Sequence, residues 1–134
     1  MEVFSIKQRY EKISVVRKGE VYTYRVSRRE TEGTELMKTR LGVIFSTDFL
    51  NRWKKRFVII PLTSKKIEKI YNYEALTLVN NIKGKALLDQ VRTINKSRLL
   101  KYEGKLTEKE MKEIYTKFME LFNIWDYLEE EGYF

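Results

Sequence analysis

Histidine and cysteine are both absent from the 134 residues. Without imidazole there is no Ser–His triad, no His–His ribonuclease pair and no histidine-ligated metal. Without thiols there is no disulfide and no thiolate zinc site. Any enzyme in this chain must therefore use Asp, Glu, Lys, Arg, Tyr, Ser or Thr, and neither a metal site nor a cofactor is expected. Proline occurs once, and no window approaches the roughly 20 unbroken apolar residues of a membrane span. No membrane partner is expected. The start, MEVFSIKQRYEKISVV, scatters its charges and lacks the apolar centre of a signal peptide. A cytoplasmic protein is the expectation.

Hydrophobic residues make up 43% of the sequence, and a chain of this length buries roughly two-thirds of its unfolded surface in one domain. Net charge is +8, unevenly spread: residues 107–134 hold eight acidic groups against three lysines, so residues 1–106 carry +13. A basic body with an acidic tail points to a polyanionic partner, with nucleic acid the default, although a lysine-rich surface also serves solubility.

RKGEVYTYRVS (17–27) alternates from Val21 to Val26 and reads as a strand after a turn at Gly19. Residues 28–39 read as a polar loop. LGVIFST (41–47) and FVIIPL (57–62) read as buried strands, joined by the basic connection DFLNRWKKR (48–56). EALTLV (74–79) and KALLDQVRTI (85–94) read as strands around a tight NNIKG turn. At the C-terminus, Thr107 and Glu110 form a capping box. Met111, Ile114, Tyr115, Phe118, Leu121, Phe122, Trp125 and Leu128 then recur at helical spacing, as packing against a core or a second copy requires. The expected fold is mainly β with α: a small SH3-like barrel of five to seven strands with one long C-terminal helix packed across it.

Three strand ends carry polar groups: Thr34, Glu35 and Arg40 around the second strand; Thr63, Ser64, Lys65 and Lys66 after FVIIPL; Asp89, Gln90, Arg92 and Thr93 at the end of ALLDQVRT. Taken singly, each has an ordinary reading as a turn cap or a solvated charge.

The order RKGEVY, GTELMKTRLGVIFSTDFLNR, FVIIPLTSK, ALLDQVRTINKSRL, KLTEKEM resembles the MazF/PemK (Kid) family of toxin endoribonucleases over roughly residues 17–120. DQVRTINKSRL is the most specific piece. The resemblance implies a single SH3-like domain over residues 1–134, with 1–16 as an atypical extension. It implies a homodimer that cleaves single-stranded RNA without metal, neutralised by an acidic antitoxin, with DNA reached only through that antitoxin. In such cleavage the 2′-OH attacks phosphorus and expels the 5′-oxygen, leaving a 2′,3′-cyclic phosphate. Arg40 matches the family's catalytic arginine and Thr63 its catalytic threonine. Glu20 and Asp89 match acidic positions at or near the site in some relatives, and Asp89 is the preferred proton acceptor. Thr34, Glu35, Ser64, Lys65, Gln90, Arg92 and Thr93 are expected to contact RNA. Leu87 stands where some relatives carry a further catalytic arginine, and Leu36-Met37-Lys38 replaces the usual Gln-Gly-Gly loop. Tyr22, Tyr24, Phe49 and Trp53 are stacking candidates, with packing or dimer contact the more ordinary role of each. The alternative to an enzyme is a non-catalytic barrel of the same fold, a gyrase-poison-like toxin or a degenerate RNA binder.

Overall fold

The computed structural model describes residues 16–26, 38–130 and 132. The expectations for Thr34, Glu35 and the extension at residues 1–15 fall outside them. Seven antiparallel strands form one curled sheet: β1 (Glu20–Arg25), β2 (Thr39–Ile44), β3 (Arg56–Thr63), β4 (Glu74–Val79), β5 (Ile82–Leu87), β6 (Arg92–Asn95) and β7 (Leu99–Lys105). The strand order is β4-β5-β3-β2-β1-β7, with β6 added on β3. The sheet curls until its end strands meet, where the Asn80 side-chain amide donates to the Glu103 carbonyl at 2.7 Å.

Period-two alternation builds two cores, one on each face. Val21, Val43, Ile60, Leu62 and Ala86 point inward, beneath the helix that supplies Met111 and Ile114. Tyr22, Tyr24, Ile44, Phe57, Ile59 and Ile94 fill the opposite face. Tyr22 and Tyr24 are therefore packing residues, while Phe49 and Trp53 are exposed.

Three sequence expectations need correction. The connection 48–56 contains a short helix, α1 (Asp48–Trp53), capped by Thr47, whose side chain accepts the Leu50 amide. The strand 85–94 is broken by a 3-10 turn at Leu88–Gln90. β5 pairs with the end of β3 (Ala86 opposite Leu62) and β6 with its beginning (Arg92 opposite Ile59), so on β3 only Ile60 and Pro61 lie opposite the five residues Leu87–Val91. That bulge buries Leu88 and leaves Asp89 and Gln90 exposed. The single C-terminal helix is two, α2 (Glu108–Leu121) and α3 (Ile124–Glu130). Asn123, at φ 56°, turns the chain between them, a conformation asparagine tolerates better than most residues. The first half of the apolar stripe packs on the sheet, and Leu121, Phe122 and Trp125 are exposed. β7 was not visible in the sequence because only its first residue, Leu99, is fully buried.

The capping box is present, with Thr107 and Glu110 exchanging side chain-to-backbone bonds. Glu110 also accepts the Leu78 amide at 2.7 Å, and the Lys117 ammonium reaches the Glu74 carbonyl at 2.6 Å. Helix α2 is thus fastened to β4 by polar contacts as well as by its apolar face.

Candidate active site

Arg40 and Thr63 are neighbours. Leu41 pairs with Leu62 in the β2–β3 ladder, and one step further the antiparallel register sets Arg40 beside Thr63. Alternation puts both on the face of Gly42, Ile59 and Tyr24. They line a cavity of about 480 Å³ together with Ser64, Lys65, Lys38 and Lys83. Arg40 also borders a second cavity of about 400 Å³, lined by Gln90, Arg92, Thr93, Tyr24 and Pro61. Arg40 is the ridge between the two, an exposed guanidinium with cations and hydroxyls on either side. The bulge at Leu88–Gln90 delivers Gln90 to that second cavity, which an unbroken strand register would not do.

Thr63 is oriented locally. Its hydroxyl oxygen accepts the Lys65 amide at 3.1 Å, so its own proton is directed to another acceptor, such as a phosphoryl oxygen. The β4–β5 hairpin closes one wall through Asn80 and Asn81, both at positive φ, the pattern of a type I′ turn. That hairpin carries Lys83 to the cavity. Gly84 in β5 has a steric purpose: a Cβ there would lie 2.7 Å from the Thr63 carbonyl oxygen.

Behind Thr63 is an ion pair that sequence reading missed. Lys85 is 4% exposed, and its ammonium donates to Glu74 Oε1 (2.9 Å), the Lys66 carbonyl (3.0 Å) and the Lys69 carbonyl (3.2 Å). Three protons meet three acceptors, so a buried charge is fully satisfied and the loop after Thr63 is tied to β5. Burial works to raise the Glu74 pKa, but the Tyr71 amide and the Lys85 ammonium outweigh it and hold the carboxyl below its ordinary range. Nothing in the string KGKALLDQ distinguishes Lys85 from the exposed Lys83 two residues earlier, because its partners lie far away in sequence.

The acidic candidates separate. Glu20 lies at the other end of β1 from Tyr24, which pairs with Arg40, about 13 Å away along the strand. Its carboxylate accepts the Arg17 amide at 2.6 Å and the Tyr22 hydroxyl at 3.2 Å. Burial and that carboxylate push the Tyr22 phenol well above its ordinary pKa, so the hydroxyl stays a donor. Within one protomer Glu20 braces the start of β1 and is not brought to Arg40. Asp89 is exposed, next to Gln90 but not in the lining of either cavity. The acidic residue among those lining the first cavity is Glu103, on the strand that sequence reading overlooked; its carbonyl accepts the Asn80 amide and its carboxylate lies 3.9 Å from the Lys101 ammonium. Among the described residues no group of three or more carboxylates is gathered as a metal site.

Residues 17–122 match the family described as PemK-like, MazF-like toxin of type II toxin-antitoxin system. The chain belongs to this family. Arg40 and Thr63, which the β2–β3 ladder sets together, both lie within the matched range. Solved structures share the fold. A MazE-MazF structure from Deinococcus radiodurans superposes with a TM-score of 0.68 at 20% identity, over 81% of this chain and 96% of that one. An endoribonuclease in complex with its cognate antitoxin, from a mycobacterial species, gives 0.66 at 20% identity, over 81% and 95%. At that identity the likeness establishes architecture alone. No curated protein matches the chain by sequence. No helix among the described residues is long and apolar enough to cross a membrane.

Proposed function

We propose that this toxin-family protein is an endoribonuclease that cuts single-stranded RNA without metal, works as a homodimer in the cytoplasm, and is neutralised by an acidic antitoxin segment laid over its basic groove. The observation that carries the reading is the juxtaposition of Arg40 and Thr63 in one cation-lined cavity. Cleavage of this kind needs no external nucleophile. The substrate's 2′-oxygen bonds to phosphorus, its proton passes to a carboxylate, and the P–O5′ bond breaks. The departing oxygen takes up a proton, leaving a 5′-OH and a 2′,3′-cyclic phosphate. The Arg40 fork suits two phosphoryl oxygens of the phosphorane, and the Thr63 hydroxyl donates to one of them. Lys65 and Lys83 add positive charge where negative charge accumulates. Our candidates for the proton acceptor are Asp89, adjacent in sequence to Gln90 of the second cavity, and Glu103, a residue of the first.

The purified protein with a long single-stranded transcript in EDTA is expected to give fragments with cyclic phosphate and 5′-OH ends. Arg40 is exposed at a strand end, so Arg40→Ala should fold normally and lose about 10²–10³ in rate, as loss of one oxyanion donor does. Asp89→Asn and Glu103→Gln then compete: the variant that flattens the acid limb of the pH–rate profile identifies the base. Tight binding of intact RNA, with no products from the wild type, would favour the non-catalytic barrel instead.

A further inference from the structure

Phe49 and Trp53 on α1 are 77% and 68% exposed. Four residues apart, they share one face of the helix. The opposite face is held rigidly. Asn51, 2% exposed, donates to the Ser46 carbonyl at 3.0 Å and accepts the Ser46 hydroxyl, which in turn accepts the Val58 amide at 3.1 Å. The aromatic pair is therefore a fixed platform rather than a mobile turn.

Its surroundings are cationic. Arg52, Lys54, Lys55 and Arg56 are all exposed, and the local acid, Asp48, is engaged by the Lys18 amide at 2.7 Å. A track of the same sign leads there from the catalytic cavities. Arg92 borders the second cavity, β6 then runs beside β3 until Asn95 faces Arg56, and the Lys96 amide bonds the Lys55 carbonyl at 2.8 Å. Over the same course β3 takes seven steps from Arg56 to Thr63, about 23 Å. A fully stacked strand advances about 3.4 Å per nucleotide along its axis, so at most roughly seven nucleotides cover that distance.

We propose that the Phe49–Trp53 face is a second binding site for single-stranded nucleic acid, holding the flank of the strand whose scissile phosphodiester lies at Arg40. Exposed rings with interleaved cations suit this ligand, since bases stack without regard to sequence while phosphates pair with Lys and Arg. A patch used for aliphatic protein contact would not need four cations in its rim. The inference rests on the RNA reading of the Arg40 groove only for the continuity of the strand.

The test uses deoxyuridine oligomers, which lack the 2′-OH and cannot be cut, so it reads binding whether or not the protein cleaves RNA. Trp125→Phe leaves Trp53 as the lone tryptophan, and a fifteen-nucleotide oligomer is expected to quench it. By anisotropy, that oligomer should bind wild type more tightly than a trinucleotide too short to reach both sites. Phe49→Ala/Trp53→Ala should weaken the long oligomer roughly tenfold and erase most of its advantage over the trinucleotide. The charge reversal Lys54→Glu/Lys55→Glu, which leaves the rings in place, should do the same and lower the salt dependence. Unquenched Trp53 at saturating long oligomer would overturn the proposal, as would an undiminished length advantage in both variants. Variants that dissociate a dimer with oligomer binding intact would assign the face to a second copy and overturn it equally.

Discussion

Gly84→Ala is the sharpest test of the idea that strand packing, rather than side-chain identity alone, sets the position of Thr63. The new Cβ would lie 2.7 Å from the Thr63 carbonyl oxygen and 3.3 Å from Thr77 Oγ1. Ordinary contact begins at 3.4 Å, so the carbonyl must retreat by about 0.7 Å. The obstacle is backbone paired in the β3–β5 ladder, where Thr63 faces Lys85, and no flexible side chain can yield in its place. Overpacking of this kind costs about 1–3 kcal/mol of stability. A displacement near 1 Å at a reacting group costs about a hundredfold in rate. The expected result is a folded protein with a modestly lower urea midpoint and RNA cleavage reduced by one to two orders of magnitude in kcat. Thr63→Ala alone should also be slow, and adding Gly84→Ala to it should cost little more, because the group being displaced is already gone. Full additivity of the two losses would refute the reasoning.

Three further outcomes follow from the same geometry. Lys85→Met should lower unfolding free energy by about 3–5 kcal/mol, since it strands a buried carboxylate, while Lys85→Met/Glu74→Gln should recover part of that loss; urea titration reads both. The folded pKa of Glu74 is depressed from an ordinary value of 4.5. Its contribution to stability is therefore fully present above that value and lost as pH falls through the lower folded one; Glu74→Gln should flatten the acid side of the stability–pH curve. Thr107→Ala removes the side-chain half of the α2 capping box and should cost about 0.5–2 kcal/mol in thermal or urea unfolding.

The elements read most faithfully from sequence were those whose own residues carry the signal. EALTLV became β4 with the same bounds, because a short apolar run ahead of the NNIKG turn reads as a strand whichever face is buried; the structure exposes Leu76 and Leu78 and buries Thr77. Thr107 and Glu110 announced the start of α2, since a capping box is made within four residues. The break at Asn123 was hidden because the apolar stripe continues at helical spacing on both sides of it, and a single positive φ leaves no mark on that period. β7 was hidden because a mostly exposed edge strand has no reason to alternate. The bulge at Leu88–Gln90 was hidden for a different reason: it exists only because β5 and β6 share β3 as a partner.

The same division holds for the chemistry. The sequence by itself determined the chemical repertoire: no imidazole, no thiol, an arginine and a threonine at strand ends, and a basic body for a polyanion. Folding decided which of those groups meet. Arg40 and Thr63 lie 23 residues apart and become neighbours through the β2–β3 register, whereas Glu20, at the far end of β1, is kept from them. Lys85 and Glu103, unremarkable as letters, acquire roles only from what the curled sheet brings against them. Residue type fixes what a group can do, and long-range pairing, which no local pattern encodes, fixes what it can reach.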